Sequence, residues 1–147
     1  MTTEASTLWS ETIGHLQLKP ALTVSITDSI ETCLNQMRSS NDPFLIVLDQ
    51  DEHISGVYNE RDILNSYLGT NLSKATEVGA VMSHDIHTFD ASLSVREAMN
   101  FMGEHKLSQL PVIEKEKIIG ILTVESLLDY LSECFPEELI KQPPRKN

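Results

Sequence analysis

Leu45-Ile46-Val47-Leu48-Asp49-Gln50-Asp51-Glu52-His53-Ile54-Ser55-Gly56-Val57-Tyr58 is a short apolar run, a charged turn and a second apolar run. The same phrase returns as Leu110-Pro111-Val112-Ile113-Glu114-Lys115-Glu116-Lys117-Ile118-Ile119-Gly120-Ile121-Leu122, one residue shorter in the turn. Working outward, Ile13 to Asp51 can be written above Val78 to Glu116 without a gap. Gly14 then falls on Gly79, Thr23 on Thr88, Ser29 on Ser94, Asn35 on Asn100 and Met37 on Met102. Past the turn, Gly56 meets Gly120 and Leu64 meets Leu128. A repeat this long is a whole supersecondary unit rather than a solenoid turn. Two copies predict a pseudo-symmetric pair that buries a shared face, with ligands in matched clefts between the copies.

Each copy reads as the same order of elements. Ser29 and Ser94 stand where helices begin, and Glu97 three residues after Ser94 completes a capping box. Ile30, Cys33, Leu34 and Met37, matched by Val95, Ala98, Met99 and Met102, supply an apolar face at helical spacing. Strands follow over Phe44 to Leu48 and Leu110 to Ile113, then return strands over Ile54 to Tyr58 and Ile118 to Thr123. A second helix closes each copy, Glu60 to Tyr67 and Val124 to Leu131, with Ile63, Leu64, Leu127 and Leu128 expected on its inner face. Short lead-in strands near Thr23 and Thr88 precede the whole. The organisation is a tail over 1–10, a repeat over 11–68, a polar linker over 69–76, a repeat over 77–135 and a tail over 136–147.

Composition narrows the functional classes. The chain has 147 residues, 40% of them hydrophobic, enough for a real core. A formal charge of −11 argues against nucleic-acid binding, which needs a basic footprint. It also means that an anionic ligand must be held by local donors against an unfavourable overall field. No apolar run is long enough to span a bilayer and the first residues do not read as a signal peptide, so a cytoplasmic protein that avoids membranes is expected. Cys33 and Cys134 make neither a disulfide framework nor a metal spacing.

Val78-Gly79-Ala80-Val81-Met82 with Thr88, then Leu110-Pro111-Val112-Ile113, a charged turn and Gly120-Ile121-Leu122-Thr123, together resemble a CBS domain. The tandem resembles a CBS pair, or Bateman module, over roughly Ile13 to Glu133. The implied fold is α+β (α/β): two pseudo-symmetric repeats, each a short lead-in strand followed by α-β-β-α, packed through their sheets. Gly56-Val57-Tyr58-Asn59-Glu60-Arg61-Asp62 is similar to the family's nucleotide-contacting segment, Gly-x-x-(Thr/Ser)-x-x-Asp. The resemblance implies regulation by AMP, ADP, ATP or S-adenosylmethionine, with magnesium accompanying ATP and no resident cofactor. It also implies a homodimer.

The residues give that implication a chemistry. An acid at the start of the second helix can accept both ribose hydroxyls, and the helix's first turn offers N–H groups to phosphate. The first copy keeps the acid as Asp62 but has Asn59 for Thr or Ser; Arg61 beside it supplies positive charge. The second copy keeps Thr123 but has Ser126 in the acidic position, so the better site is expected at Asp62. By analogy the base would lie near Thr23, Val24, Phe44 and Leu45, and the phosphates toward Asn59, Arg61 and Thr123.

Plainer roles compete. Asp62 can simply favour the helix dipole, Cys33 is core packing, and Cys134 has no nearby His in sequence to activate it. His84, Asp85 and His87 look metal-like, but in an extended stretch the two His point to opposite faces, so no metal site is expected. His105 and Lys106 end a helix and complement its dipole. With no catalytic motif visible, the protein is read as a non-enzyme. Three functions follow: a sensor that signals to a separate effector protein; a degenerate CBS pair serving as a dimeric interaction scaffold; and, behind both, a small enzyme using the same cleft. The apolar residues Leu64, Tyr67, Leu68, Leu127, Leu128 and Leu131 exceed what one helix face buries and predict a two-fold homodimer, unless tail residues such as Leu8, Trp9, Phe135 and Leu139 cover them.

Overall fold

The computed structural model describes residues 10–69 and 73–134. The tail residues Leu8, Trp9, Phe135 and Leu139 and the middle of the linker lie outside the described residues. Among those described, two three-stranded sheets and four helices form a mixed α+β fold. In the first copy β1 (Thr23–Ser25) leads into α1 (Ile30–Ser40), β2 (Phe44–Leu48), β3 (Ile54–Asn59) and α2 (Glu60–Gly69). The second copy repeats the order as β4 (Phe89–Asp90), α3 (Val95–His105), β5 (Gln109–Glu114), β6 (Lys117–Thr123) and α4 (Val124–Cys134). Each lead-in strand runs parallel to the strand after the helix, β1 on β2 and β4 on β5, and β2 pairs antiparallel with β3.

The helix boundaries follow from hydrogen bonds to groups that a helix leaves unpaired at its ends. Ser29 Oγ accepts the Thr32 N–H at 3.1 Å. Ser94 Oγ accepts the Glu97 N–H at 3.1 Å, and the Glu97 carboxylate accepts the Ser94 N–H at 3.1 Å. At the other end Asn41 and Lys106 take left-handed conformations, φ 57° and 55°, that stop α1 and α3. His105 stacks on Phe101 with centroids 4.0 Å apart, and its Nδ1 lies 3.0 Å from the Phe101 carbonyl oxygen, an end-of-helix role.

The chain divides into two compact units that cross the sequence repeats. One joins the described residues up to Pro20 with Thr88–Glu114 and those from Ile119 onward; the other joins Ala21–His87 with Lys115–Ile118. In the first unit Ile13 and Leu16 enter a core of Val95, Ala98, Met102, Leu110, Val112 and Leu122. In the second, Val78 and Met82 enter a core of Val24, Cys33, Met37, Leu45, Val47 and Tyr58. Burial pushes the Cys33 thiol up to about 11, so it is a packing residue and not a thiolate.

The lead-in segment ahead of β1 or β4 thus completes the other copy's core, and matched backbone bonds hold it there. Ile13 N–H donates to Leu93 O at 2.8 Å and Gly14 N–H to Ala91 O at 2.9 Å. At the equivalent places Val78 N–H donates to Asp28 O at 2.8 Å and Gly79 N–H to Ile26 O at 3.0 Å. Further along, Lys19 bridges Ile121 and Ser83 bridges Val57, each through two backbone bonds. Ser83, not His84, is therefore the structural partner of Lys19. The ungapped alignment slips by one residue between Gly79 and Ser83 and recovers before β4, a correction that only the bridges reveal.

A second correction concerns the closing helices. Leu127 is 5% exposed, but Leu64 and Leu128, expected to face inward, are 59% and 58% exposed. The other two residues expected there do face inward, Ile63 partly buried against the second unit's core and Leu127 buried in the first unit's.

Gly56 is required by space and not by torsion, since no glycine among the described residues has positive φ. A Cβ there would lie 2.5 Å from Ser83 O and 2.9 Å from Met82 Sδ. The nearest obstacle is backbone, which cannot rotate away, so we expect Gly56→Ala to cost about 1–3 kcal/mol. Urea unfolding measures it; an unchanged midpoint would show that the bridge is dispensable.

Candidate functional site

Asn59, Arg61, Asp62, Thr123 and Ser126 lie at the corners where the last strand of each copy becomes its second helix. In the second unit Asn59 ends β3, and Asp62 lies in the first turn of α2. Asp62 N–H donates to Asn59 Oδ1 at 3.0 Å, and Asn59 N–H donates to Asp62 Oδ2 at 2.9 Å. The pair is a reciprocal cap of the capping-box kind. Arg61 beside it is exposed. Phe44 sits directly opposite Asn59 across the β2–β3 ladder.

The pleat divides the residues expected around a base. Directly paired residues share a face and successive ones alternate. Thr23, paired with Ile46, therefore shares a face with Phe44 and Asn59, two residues along the ladder. Val24 and Leu45 take the other face, 4% and 0% exposed, packed in the core with α1. Their side chains present no surface to a ligand.

The corner of the first unit has the same architecture in different chemistry. Thr123 ends β6, and its Oγ1 accepts the Ser126 N–H at 3.0 Å. The two hydroxyl oxygens are 2.9 Å apart. Thr123 and Ser126 line an open cleft of about 290 Å³ together with Glu125 and Asp129 on α4. Gln17, Leu18, Lys19 and Pro20 of the lead-in form the facing wall. Sequence reading missed Lys19, Glu125 and Asp129. The available signal was spacing, since Asp129 lies one helical turn beyond Ser126 and so on the same face. A larger cleft of about 400 Å³ lies along α1, lined by Leu22, Thr32, Asn35, Gln36, Ser39 and Ser40. It has no charged group and none of the candidate residues, so size alone does not mark the site.

Among the described residues the group whose donor atoms all lie within 4.8 Å of one another is Asp49, Asp51 and His53, not the trio His84, Asp85 and His87. Asp49 Oδ1 accepts the N–H of His53 and that of Asp51, both at 2.9 Å. The His53 N–H bond is the main reason the Asp49 carboxyl is held below its usual range. These bonds build the β2–β3 turn, which is sufficient reason for the cluster. Cys134 is exposed, and its contact with Tyr130, after burial, pushes the phenol up to about 12.

A family model of the CBS domain matches residues 13–69 and 78–133. The chain belongs to the CBS-domain family and carries two copies of the domain. It is 27% identical over 115 residues to Hypoxic response protein 1 of Mycobacterium tuberculosis, covering 78% of this chain and 80% of that protein. Its fold is similar to that of a putative acetoin utilization protein (AcuB) from Vibrio cholerae, with TM-score 0.74, 19% identity and coverage of 90% and 98% of the two chains. It is also similar to CBSX2 solved in complex with AMP, with TM-score 0.70, 22% identity and coverage of 84% and 97%.

Both corners are helix caps whatever they bind. We expect Asn59→Ala and Thr123→Ala each to lower stability by about 1 kcal/mol without ligand. Ser126→Ala should cost less, because its backbone bond to Thr123 survives. Thermal unfolding of the three variants tests this, and equal losses in all three would contradict the cap geometry.

Proposed function

We propose that this chain is a regulatory sensor that binds an adenosyl nucleotide, AMP, ADP, ATP or S-adenosylmethionine, and passes its state to a separate effector protein. The observation that carries the reading is the strand–helix corner of Thr123 and Ser126, which opens onto a cleft with Lys19 on its wall. Hydroxyls for ribose or phosphate oxygens, an ammonium for charge and the apolar Leu18 and Pro20 for a base are groups such a ligand can use. Membership of the family and the AMP complex of CBSX2 support it. The Asn59–Asp62 corner with Arg61, expected from the sequence to be the better site, ranks second as a binding position because Asp62 Oδ2 already accepts the Asn59 N–H, and magnesium would accompany ATP. The role is regulatory and not catalytic, and its place is the cytoplasm, where these ligands are abundant. A ligand regulates only through its unequal affinity for two arrangements of the protein, so the effector must read that difference.

One observation favours a scaffold without nucleotide. The hydrogen bonds within Asn59–Asp62 and Thr123–Ser126 are caps, and caps alone give the motif residues a reason to exist. Calorimetric titration with AMP, ADP, ATP and S-adenosylmethionine separates the readings. A sensor binds at least one of them with a Kd on the order of micromolar, about −8 kcal/mol, and Thr123→Ala or Asp62→Ala weakens it by more than cap loss explains. Folded protein free of copurified nucleotide that gives no heat with any ligand leaves the scaffold.

We further infer a homodimer. Leu64 and Leu128 occupy equivalent positions of the two closing helices and are almost equally exposed, with Val124 43% exposed nearby on α4. Apolar surface in matched places suits a two-fold interface. Light scattering at micromolar concentration should give twice the chain mass, falling toward one chain in Leu64→Lys/Leu128→Lys.

A further inference from the structure

The two strand–helix corners carry different charge patterns at matched positions. Arg61 of the first copy is matched by Glu125, Asp62 by Ser126 and Asn65 by Asp129. On the lead-in, the backbone bridges match Ser83 to Lys19. The first corner therefore sets the cation Arg61 between the acids Glu60 and Asp62 in the first turn of its helix and has neutral Ser83 on its lead-in. The second has two anions on its helix, and its cation is on the lead-in. Lys19, Glu125 and Asp129 all line the cleft of about 290 Å³, and Lys19 is the one base among the described residues that line it.

We propose that Glu125 and Asp129 act as specificity residues that make this cleft a charge filter. It admits an adenosyl ligand bearing one phosphate, or a positively charged arm, and rejects polyphosphates. The inference rests on the adenosyl reading above and refines it for one cleft. A single phosphate can be placed against Lys19 and away from the helix. A triphosphate brings two more anionic groups with no second base on the cleft wall to meet them. The volume, about 290 Å³, is just below the roughly 300–1,000 Å³ typical of small-molecule sites, so a ligand seated against Lys19 lies close to both carboxylates. The start of α4 would ordinarily attract an anion, but Glu125 in its first turn already offsets that dipole. The chain's charge of −11 adds a background of the same sign.

The test is a magnesium-free titration of the full chain with AMP, S-adenosylmethionine and ATP, in an Asp62→Ala background that weakens the other corner. Glu125→Arg copies the charge of Arg61, and Asp129→Asn copies Asn65. Both positions are exposed, and circular dichroism checks that the variants are folded. In the parent, AMP or S-adenosylmethionine should bind at least about tenfold more tightly than ATP, the effect of like charges a few ångström apart near a surface. Glu125→Arg should shrink that ratio by about tenfold and Asp129→Asn by a few-fold, and added salt should shrink it too. Retained binding with an ATP-to-AMP ratio unchanged in both variants overturns the filter and leaves the adenosyl reading standing. Loss of all binding in the wild-type chain overturns the adenosyl reading and the filter with it.

Discussion

The close approach of the lead-in backbone to the strand that ends at each corner is the constraint on which the rest depends. A Cβ at Gly56 would meet Ser83 O at 2.5 Å, and one at Gly120 would meet Leu18 Cβ at 2.6 Å. Both glycines precede their corner by three residues, and both face a lead-in held by paired backbone bonds. The lead-in fixes where β3 and β6 end, and hence where α2 and α4 begin. It also brings Lys19 to the cleft wall. The same packing that completes each core thus builds the candidate site, and no separate loop has to be ordered to form it.

The corner tolerates chemical change because its structural duty is modest. An Asn–Asp pair and a Thr–Ser pair both cap a helix, with bonds of 2.9 to 3.0 Å in one and 3.0 Å in the other. Either pair satisfies N–H groups that the first turn leaves open. The side chains around the caps are then free to diverge in charge without endangering the fold. This is why the fold can be assigned from order and spacing while the ligand has to be argued from Lys19, Glu125 and Asp129.

The same division explains what the sequence disclosed. Ser29 and Ser94 marked helix starts because capping is local, and Cys33 read as core because its face repeats at helical spacing. Alternation within β1 and β2 was also legible in principle; Val24 and Leu45 were nominated by analogy although the pleat turns them into the core. The exchange of lead-ins was not legible, since a repeat keeps the same period whichever core each segment enters. Pairing Lys19 with Ser83 needed the bridges, because a slip that recovers before β4 leaves no trace in an ungapped alignment. Leu64 and Leu128 were misplaced because spacing alone does not say how wide the buried face of a helix is; α1 packs the neighbours Cys33 and Leu34 together against one core, whereas α2 and α4 turn Ile63 and Leu127 inward and leave the next residue exposed.

The exchange also makes the two units unequal in how they close. The second unit is assembled almost wholly from one continuous stretch, Ala21–His87, and its lead-in bridge joins Val57 to Ser83. The first unit joins three separate described segments, up to Pro20, Thr88–Glu114 and from Ile119 onward, and its bridge joins Lys19 to Ile121. Closing the longer loop costs more chain entropy, though only logarithmically. The cleft has one wall on that lead-in and the other on α4. A ligand held against both walls would favour the docked lead-in by its differential affinity, with no need to deform either core. On the sensor reading proposed above, the ligand would act by keeping that short segment seated, a change within reach of a small ligand's binding energy.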